Sequence, residues 1–241
     1  MDFTLREDFT LRENEQIDDL MVSGLRIIQN NKAFKFGTDA VLLARFAEVS
    51  QGDRIMDLGT GSGIVPHLLY ARDHGIRVTG IDIQEDMADM AGRSAAMNGI
   101  GAALDFLCCD VKNVRELFTR QSFDAVTTNP PYKACGSGIP NPDYRKYVAR
   151  HEVLATLEDF IAAAEWLLKP GGRFFMVERP DRLCDTMELM RKYSVEPKKL
   201  QFVQRDPGSA PVLFLVKGIK NAGRELAVEA PLVLSEEHAA F

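Results

Sequence analysis

DRIMDLGTGSGIVPHLLYARD, residues 53–73, decides how this chain folds. A run of strand length, DRIMDL, passes through three alternating glycines into IVPHLLYARD, which reads as a helix. Glycines between a strand and a helix let the backbone approach a ligand closely. The alternation continues outward from this unit. IRVTGID (76–82) reads as a strand, EDMADMAGRSAAMN (85–98) as a helix and AALDFLCCD (102–110) as a strand. A short helix VRELFTR (114–120), a strand SFDAVTTN (122–129), a helix EVLATLEDFIAAAEWLL (152–168) and a strand RFFMVER (173–179) follow. KPGG (169–172) reads as a helix stop. Strict alternation implies parallel strands with crossover helices on both faces of the sheet.

The end of the chain breaks the pattern. KKLQFVQR (198–205) and APVLFLVKGI (210–219) are strand-like runs joined by the turn sequence DPGS, with no helix between them. A parallel crossover needs about a dozen residues, so this pair must be antiparallel. AVEAPLVLS (227–235) can add an edge strand. Upstream, LRIIQN (25–30) reads as a strand and TDAVLLARFAEV (38–49) as a helix with Thr38 or Asp39 available as N-cap.

With 241 residues and 46% hydrophobic content, the chain can bury one large core. The expected division is a mobile acidic arm over 1–16, where DFTLRE occurs twice in tandem, and a single domain over 17–241. Within that domain, 17–50 is an N-terminal extension, 53–220 the core and 221–241 a C-terminal extension. No apolar run reaches the ~18 residues of a membrane span, and the acidic N-terminus lacks the apolar region of a secretory signal. Cys108, Cys109, Cys135 and Cys184 form no CxxC pair and no metal spacing with histidine. Reduced thiols of a cytoplasmic protein without a metal site are expected.

The net charge of −6 is unevenly spread. Seven acids and two bases lie in residues 1–20, whereas 169–205 holds nine bases and five acids. A local patch can therefore meet phosphates although the whole chain is acidic, or the bases can simply solvate helix faces.

Three carboxylates sit at consecutive strand ends. Asp57 precedes the glycine turn, where negative charge suits a cationic ligand better than a pyrophosphate. Asp82 ends the next strand, the position from which an acid accepts hydrogen bonds from ribose hydroxyls. Asp110 ends the third, placed to accept from an exocyclic amine such as that of adenine. A cationic amino-acid end, a ribose and an adenine are the parts of S-adenosylmethionine. Rival readings fit less well: Gly59, Gly61 and Gly63 miss the GxGxxG offset, no GK[ST] exists for a P-loop, and Ser62 follows Gly61 directly, which excludes a GxSxG elbow.

DLGTGSG, GIDIQ and NPPY together resemble the class I S-adenosylmethionine-dependent methyltransferases of the amino-group branch, over residues 25 to about 235. That resemblance implies a seven-stranded, Rossmann-like sheet with an antiparallel final strand. LRIIQNNKAFKFGTDAVLLARFA and APLVLSEE further resemble the bacterial tRNA adenine-N6 methyltransferases, which modify an anticodon-loop adenine of a valine tRNA. The resemblance implies that Gly37, Thr38 and Asp39 lie over the cofactor, although helix capping accounts for Thr38 and Asp39 equally well. The expected cofactor set continues with Asp57, Gly59, Thr60, Gly61 and Gly63. It ends with Asp82, Ile83, Asp110, Val111 and Asn129.

NPPY (129–132) supplies the chemistry. An exocyclic amine is a poor nucleophile because its lone pair is delocalised into the ring. Two acceptors on its hydrogens, the Asn129 side-chain carbonyl and the Pro130 backbone carbonyl, draw the nitrogen toward tetrahedral geometry and aim the lone pair. Pro130 and Pro131 stiffen the segment, and Tyr132 offers a ring for a flat base to stack on, worth about 1–3 kcal/mol. No ionisable base is required, since the product ammonium can lose its proton to water or a neighbour. An RNA base would have to leave its stack to enter. Lys133, Arg145, Lys146 and Arg150 in the loop after NPPY, with Lys198 and Lys199, are the expected RNA contacts. A protein glutamine amide, a guanine N2 amine, or a non-catalytic role as an RNA assembly factor are the alternatives. Glutamine methyltransferases share NPPY but carry a sizeable helical N-terminal domain, for which the ~50 residues before the core leave little room.

Overall fold

The computed structural model describes residues 10–31, 37–131 and 155–234. Seven core strands follow one another as the alternation requires: β3 (Arg54–Leu58), β4 (Arg77–Asp82), β5 (Leu104–Cys108), β6 (Phe123–Thr128), β7 (Leu168–Glu178), β8 (Val195–Gln204) and β9 (Pro211–Lys220). Their order across the sheet is β5-β4-β3-β6-β7-β9-β8. Neighbours from β5 to β7 are parallel, and β9 runs antiparallel to both β7 and β8. The final hairpin is thus present, with its second strand inserted between β7 and the first. The C-terminal tail adds two-residue strands β10 (Ala227–Val228) and β11 (Leu232–Val233), both parallel to the outer side of β8. These extend the expected seven strands to nine in the sheet.

Apolar side chains alternate between the two faces and build two cores. Ile55, Ala125, Phe175 and Val177 pack with α1 (Thr38–Phe46) and α2 (Ile64–Arg72); Met56, Val126, Phe174 and Met176 pack with α5 (Leu157–Leu167). Between them in sequence lie α3 (Glu85–Met97) and the single turn α4 (Val114–Leu117). The α5 helix starts later than its apolar pattern, because Thr156 and Asp159 form a reciprocal capping box. It stops at Leu167, before KPGG, but those residues lie inside β7 and not in a turn. A helix that the sequence reading did not include, α6 (Leu183–Lys192), crosses from β7 to β8. Only Thr186 and Met190 of it are buried, so its apolar stripe is thin.

The expected arm over 1–16 gives way at Glu15 to β1 (Glu15–Asp19), which pairs antiparallel with β2 (Arg26–Asn30). The hairpin docks on α3. The Ile28 amide donates to Ser94 Oγ at 2.9 Å, the Arg26 amide to Asn98 Oδ1 at 3.0 Å, and Asn98 Nδ2 returns a bond to the Arg26 carbonyl at 2.6 Å. Ile28 packs among Met87, Met90 and Met97. Arg93 chelates the Glu15 carboxylate, with Nη1 to Oε2 at 2.9 Å, and reaches Asp89 Oδ2 at 2.8 Å through Nε. The Glu15 side chain is 5% exposed, and this guanidinium holds its carboxyl below the usual carboxylate range.

Replacing Arg93 by methionine leaves Glu15 without its ion partner in a nearly closed site, a loss of about 1–3 kcal/mol. Hydrogen exchange at Asp18, Ile27 and Ile28 should accelerate, with β3 and β6 amides unchanged.

Candidate active site

The C-terminal ends of β3, β4 and β6 converge where open parallel sheets bind ligands. After Leu58 the chain turns through Gly59, Gly61 and Gly63 with φ of 70°, 53° and 82°, the left-handed region that favours glycine. At Gly63 space is as decisive as φ. A Cβ there would stand 2.9 Å from Ala91 Cβ and 3.0 Å from the Phe106 ring. The same ring lies over Gly80 and stacks on the imidazole of buried His67 at 6.0 Å between centroids. His67 Nδ1 lies 2.7 Å from the Gly63 carbonyl and must carry the proton there; burial pushes its pKa down to about 4, so the ring stays neutral.

Asp82 ties the turn to β4. Its Oδ2 accepts from the Gly61 amide at 2.9 Å and its Oδ1 from the Gln84 amide at 3.0 Å. Asp57, expected at the mouth of the strand, instead lies beneath the turn and is 2% exposed. The Thr127 hydroxyl donates to its Oδ1 at 2.6 Å. The Thr60 hydroxyl is its other polar neighbour, though outside good hydrogen-bond geometry. Burial pushes the carboxyl up to about 7, the Thr127 bond opposes this, and the negative Asp82 nearby adds to it. Among the described residues this carboxylate has no positive counter-charge, which a cationic ligand in the turn would supply.

The remaining expected residues divide. Asp110 sits two residues beyond β5, half-buried, and accepts from the Lys112 amide at 2.9 Å, so it also caps a short turn. Ile83 is half-buried beside it in the rim, whereas the Val111 side chain belongs to the core. Gly37, not Thr38 or Asp39, is the N-cap of α1, and the Asp39 carboxylate folds back into the space a Gly37 Cβ would fill. Thr38 is exposed and Asp39 buried. Asn129 is half-buried, Pro130 buried and Pro131 exposed, immediately after β6. Tyr132, Lys133, Arg145, Lys146 and Arg150 lie outside the described residues.

Lys199 and Lys198 are described and engaged. Lys199 Nζ pairs with Glu48 Oε1 at 2.8 Å, and Lys217 binds the same carboxylate. Lys198 reaches Glu225 at 3.8 Å. Phosphates would have to compete with these acids. Thr127, His67 and Phe106 were not singled out from sequence; strand alternation places Thr127 on the Asp57 face, but neither ring belongs to a motif.

A mostly parallel sheet with this strand order, a reversed strand and a glycine turn after its central strand defines a class I S-adenosylmethionine-dependent methyltransferase. Residues 49–221 match the family described as a methyltransferase domain, and the chain belongs to that family. It is similar to a protein of Porphyromonas gingivalis named tRNA1(Val) (adenine(37)-N6)-methyltransferase, 31% identical over 195 residues, 78% of this chain and 76% of the relative. A protein of the same name from Bacteroides fragilis is 27% identical over 184 residues, 76% of each chain. A predicted O-methyltransferase structure from Agrobacterium tumefaciens superposes with a TM-score of 0.66 at 25% identity, covering 81% of this chain and 86% of that one. Geranyl diphosphate methyltransferase in complex with S-adenosylmethionine shares the fold, with a TM-score of 0.55 at 16% identity over 76% of this chain and 84% of that one.

The raised Asp57 value makes a stability prediction. Its folded value of about 7 exceeds the unfolded one, so the stabilisation is complete below about pH 4 and is lost as pH rises through 7. Asp57→Asn should therefore raise the melting temperature of the ligand-free protein at pH 8, with the gain shrinking as pH falls to 4.

Proposed function

We infer that this enzyme methylates the N6 amine of an adenine in tRNA, the reaction that the names of its relatives describe. The observation that carries the reading is Asn129–Pro130–Pro131 at the end of β6, beside the glycine turn that follows β3. The bound cofactor supplies an electrophilic methyl group. Asn129 offers a side-chain carbonyl and Pro130 a backbone carbonyl to the two amine hydrogens. Proline rigidity keeps the second acceptor in place without a competing N–H, so little reorganisation is needed at the moment of transfer. Asp57 favours the cationic end of the cofactor through its buried charge, and Asp82 joins the ribose to the turn. The reach of Lys199 and Lys198 toward RNA is secondary, given their acidic partners.

No helix among the described residues is long and apolar enough to cross a membrane, and none of their His, Cys, Asp and Glu side chains cluster in threes as metal ligands. Neither observation bears on the substrate.

Incubation of the full chain with S-adenosylmethionine and unmodified bacterial tRNA should yield N6-methyladenosine by nucleoside mass spectrometry. Label appearing only in protein would transfer the assignment to a glutamine amide, and N2-methylguanosine would transfer it to guanine. Asn129→Ala should lower turnover by about 10²-fold or more while cofactor affinity measured by calorimetry stays nearly unchanged. Asp82→Ala should weaken that affinity, since it removes the acceptor and frees the Gly61 amide together.

A further inference from the structure

The methyl transfer leaves one proton to dispose of, and the two carbonyl acceptors cannot keep it. A buried carboxylate stands one strand away. Glu178 ends β7, which lies parallel beside β6 in the sheet. Thr128 pairs with Met176, so continuing the register by two residues brings Glu178 level with Pro130. Adjacent strands are about 4.8 Å apart, which puts the two backbones side by side at the rim.

We propose that Glu178 is the proton acceptor of the reaction, taking from the substrate amine the proton that methylation makes acidic. This rests on the amine-methylating reading above. Attack by the nitrogen lone pair forms the N–C bond as the C–S bond breaks and its electron pair passes to sulfur. In the same step one N–H proton moves to a Glu178 oxygen, the N–H electron pair stays on nitrogen as its lone pair so that the methylated amine is neutral, and Glu178 later releases the proton to solvent.

The residue is built for that exchange. It is 1% exposed, and among the described residues its hydrogen bonding is limited to Oε1, which accepts from the adjoining Arg179 amide at 2.7 Å. Across the sheet it faces Phe214 on β9, and Thr128 ends β6 on the other side, neither carrying charge. Among the described residues, Arg182, Asp181 and Arg179, all in the segment after it, are the charged groups that bear on it. Arg182 and Arg179 lower its pKa and Asp181 raises it, but burial dominates and holds the carboxyl at about 7. A general base is most effective with a pKa near the working pH. If Glu178 served only to anchor the turn after β7, a glutamine would accept the same amide bond and serve equally well.

The test is the single-turnover rate of methyl transfer to unmodified tRNA at saturating S-adenosylmethionine, from pH 5.5 to 9. Saturation keeps any titration of Asp57 out of the profile. The wild-type rate should rise through one inflection near 7 and level off. Glu178→Gln should lose the inflection and lower the plateau by roughly 10²-fold with cofactor affinity unchanged, and Glu178→Asp should restore part of both. A wild-type rate independent of pH, or a Glu178→Gln enzyme with the wild-type plateau and inflection, overturns the proposal. The wild-type profile answers the question even if a variant does not fold. An inactive wild type at every pH would instead overturn the tRNA reading, and this inference with it.

Discussion

Two threonine hydroxyls join the donor half of this enzyme to its acceptor half. Thr127 bonds Asp57 at 2.6 Å, and Thr128 bonds the Leu58 carbonyl at 2.9 Å. Both donors lie at the end of β6, and both acceptors at the end of β3. The glycine turn begins one residue beyond the acceptors, and Asn129 one residue beyond the donors. Any shift of β6 against β3 would move the Asn129 and Pro130 carbonyls, proposed to orient the amine, relative to the glycine turn, and an ångström of misplacement can cost ~10²-fold in rate. Backbone pairing alone sets strand separation; these side-chain bonds set the last residues, where the ladder is ending.

Around that junction the fold removes freedom rather than adding chemistry. Phe106 fills the space left by Gly63 and Gly80, neutral His67 holds the Gly63 carbonyl, and Asp82 holds the Gly61 amide. The turn is therefore fixed from three sides before ligand arrives. Burying Asp57 with no positive partner among the described residues works the other way, since a charge in low dielectric is costly until a cation neutralises it. On the proposed role of Asp57, stability given up in the free protein would return as selectivity for a positively charged ligand.

Much of this was legible in the residues. Alternating strands and helices around DLGTGSG gave the parallel sheet, and DPGS between KKLQFVQR and APVLFLVKGI gave the reversed strand. The acids at 57 and 82 fall in the last residues of β3 and β4, and that at 110 two residues beyond β5. What escaped depends on tertiary packing. Helix α6 has Leu183, Met187 and Met190 at helical spacing but buries only the last of them fully, and β1 is a polar strand, EQIDD, made stable by docking on α3. Whether Asp57 opens to the ligand or hides beneath it depends on Thr127, seventy residues away. The partners of Lys198 and Lys199 come from Glu225 and Glu48, which no local pattern connects.

The N-terminal hairpin bears on how the molecule meets others. A bare strand edge is a template on which a second chain can add its own backbone. Along β2 the outward amides of Arg26 and Ile28 are already spoken for by Asn98 and Ser94, side chains one helical turn apart on α3. A helix thus stands in for the missing strand, and self-association through this border of the hairpin is blocked by hydrogen bonds made within a single molecule.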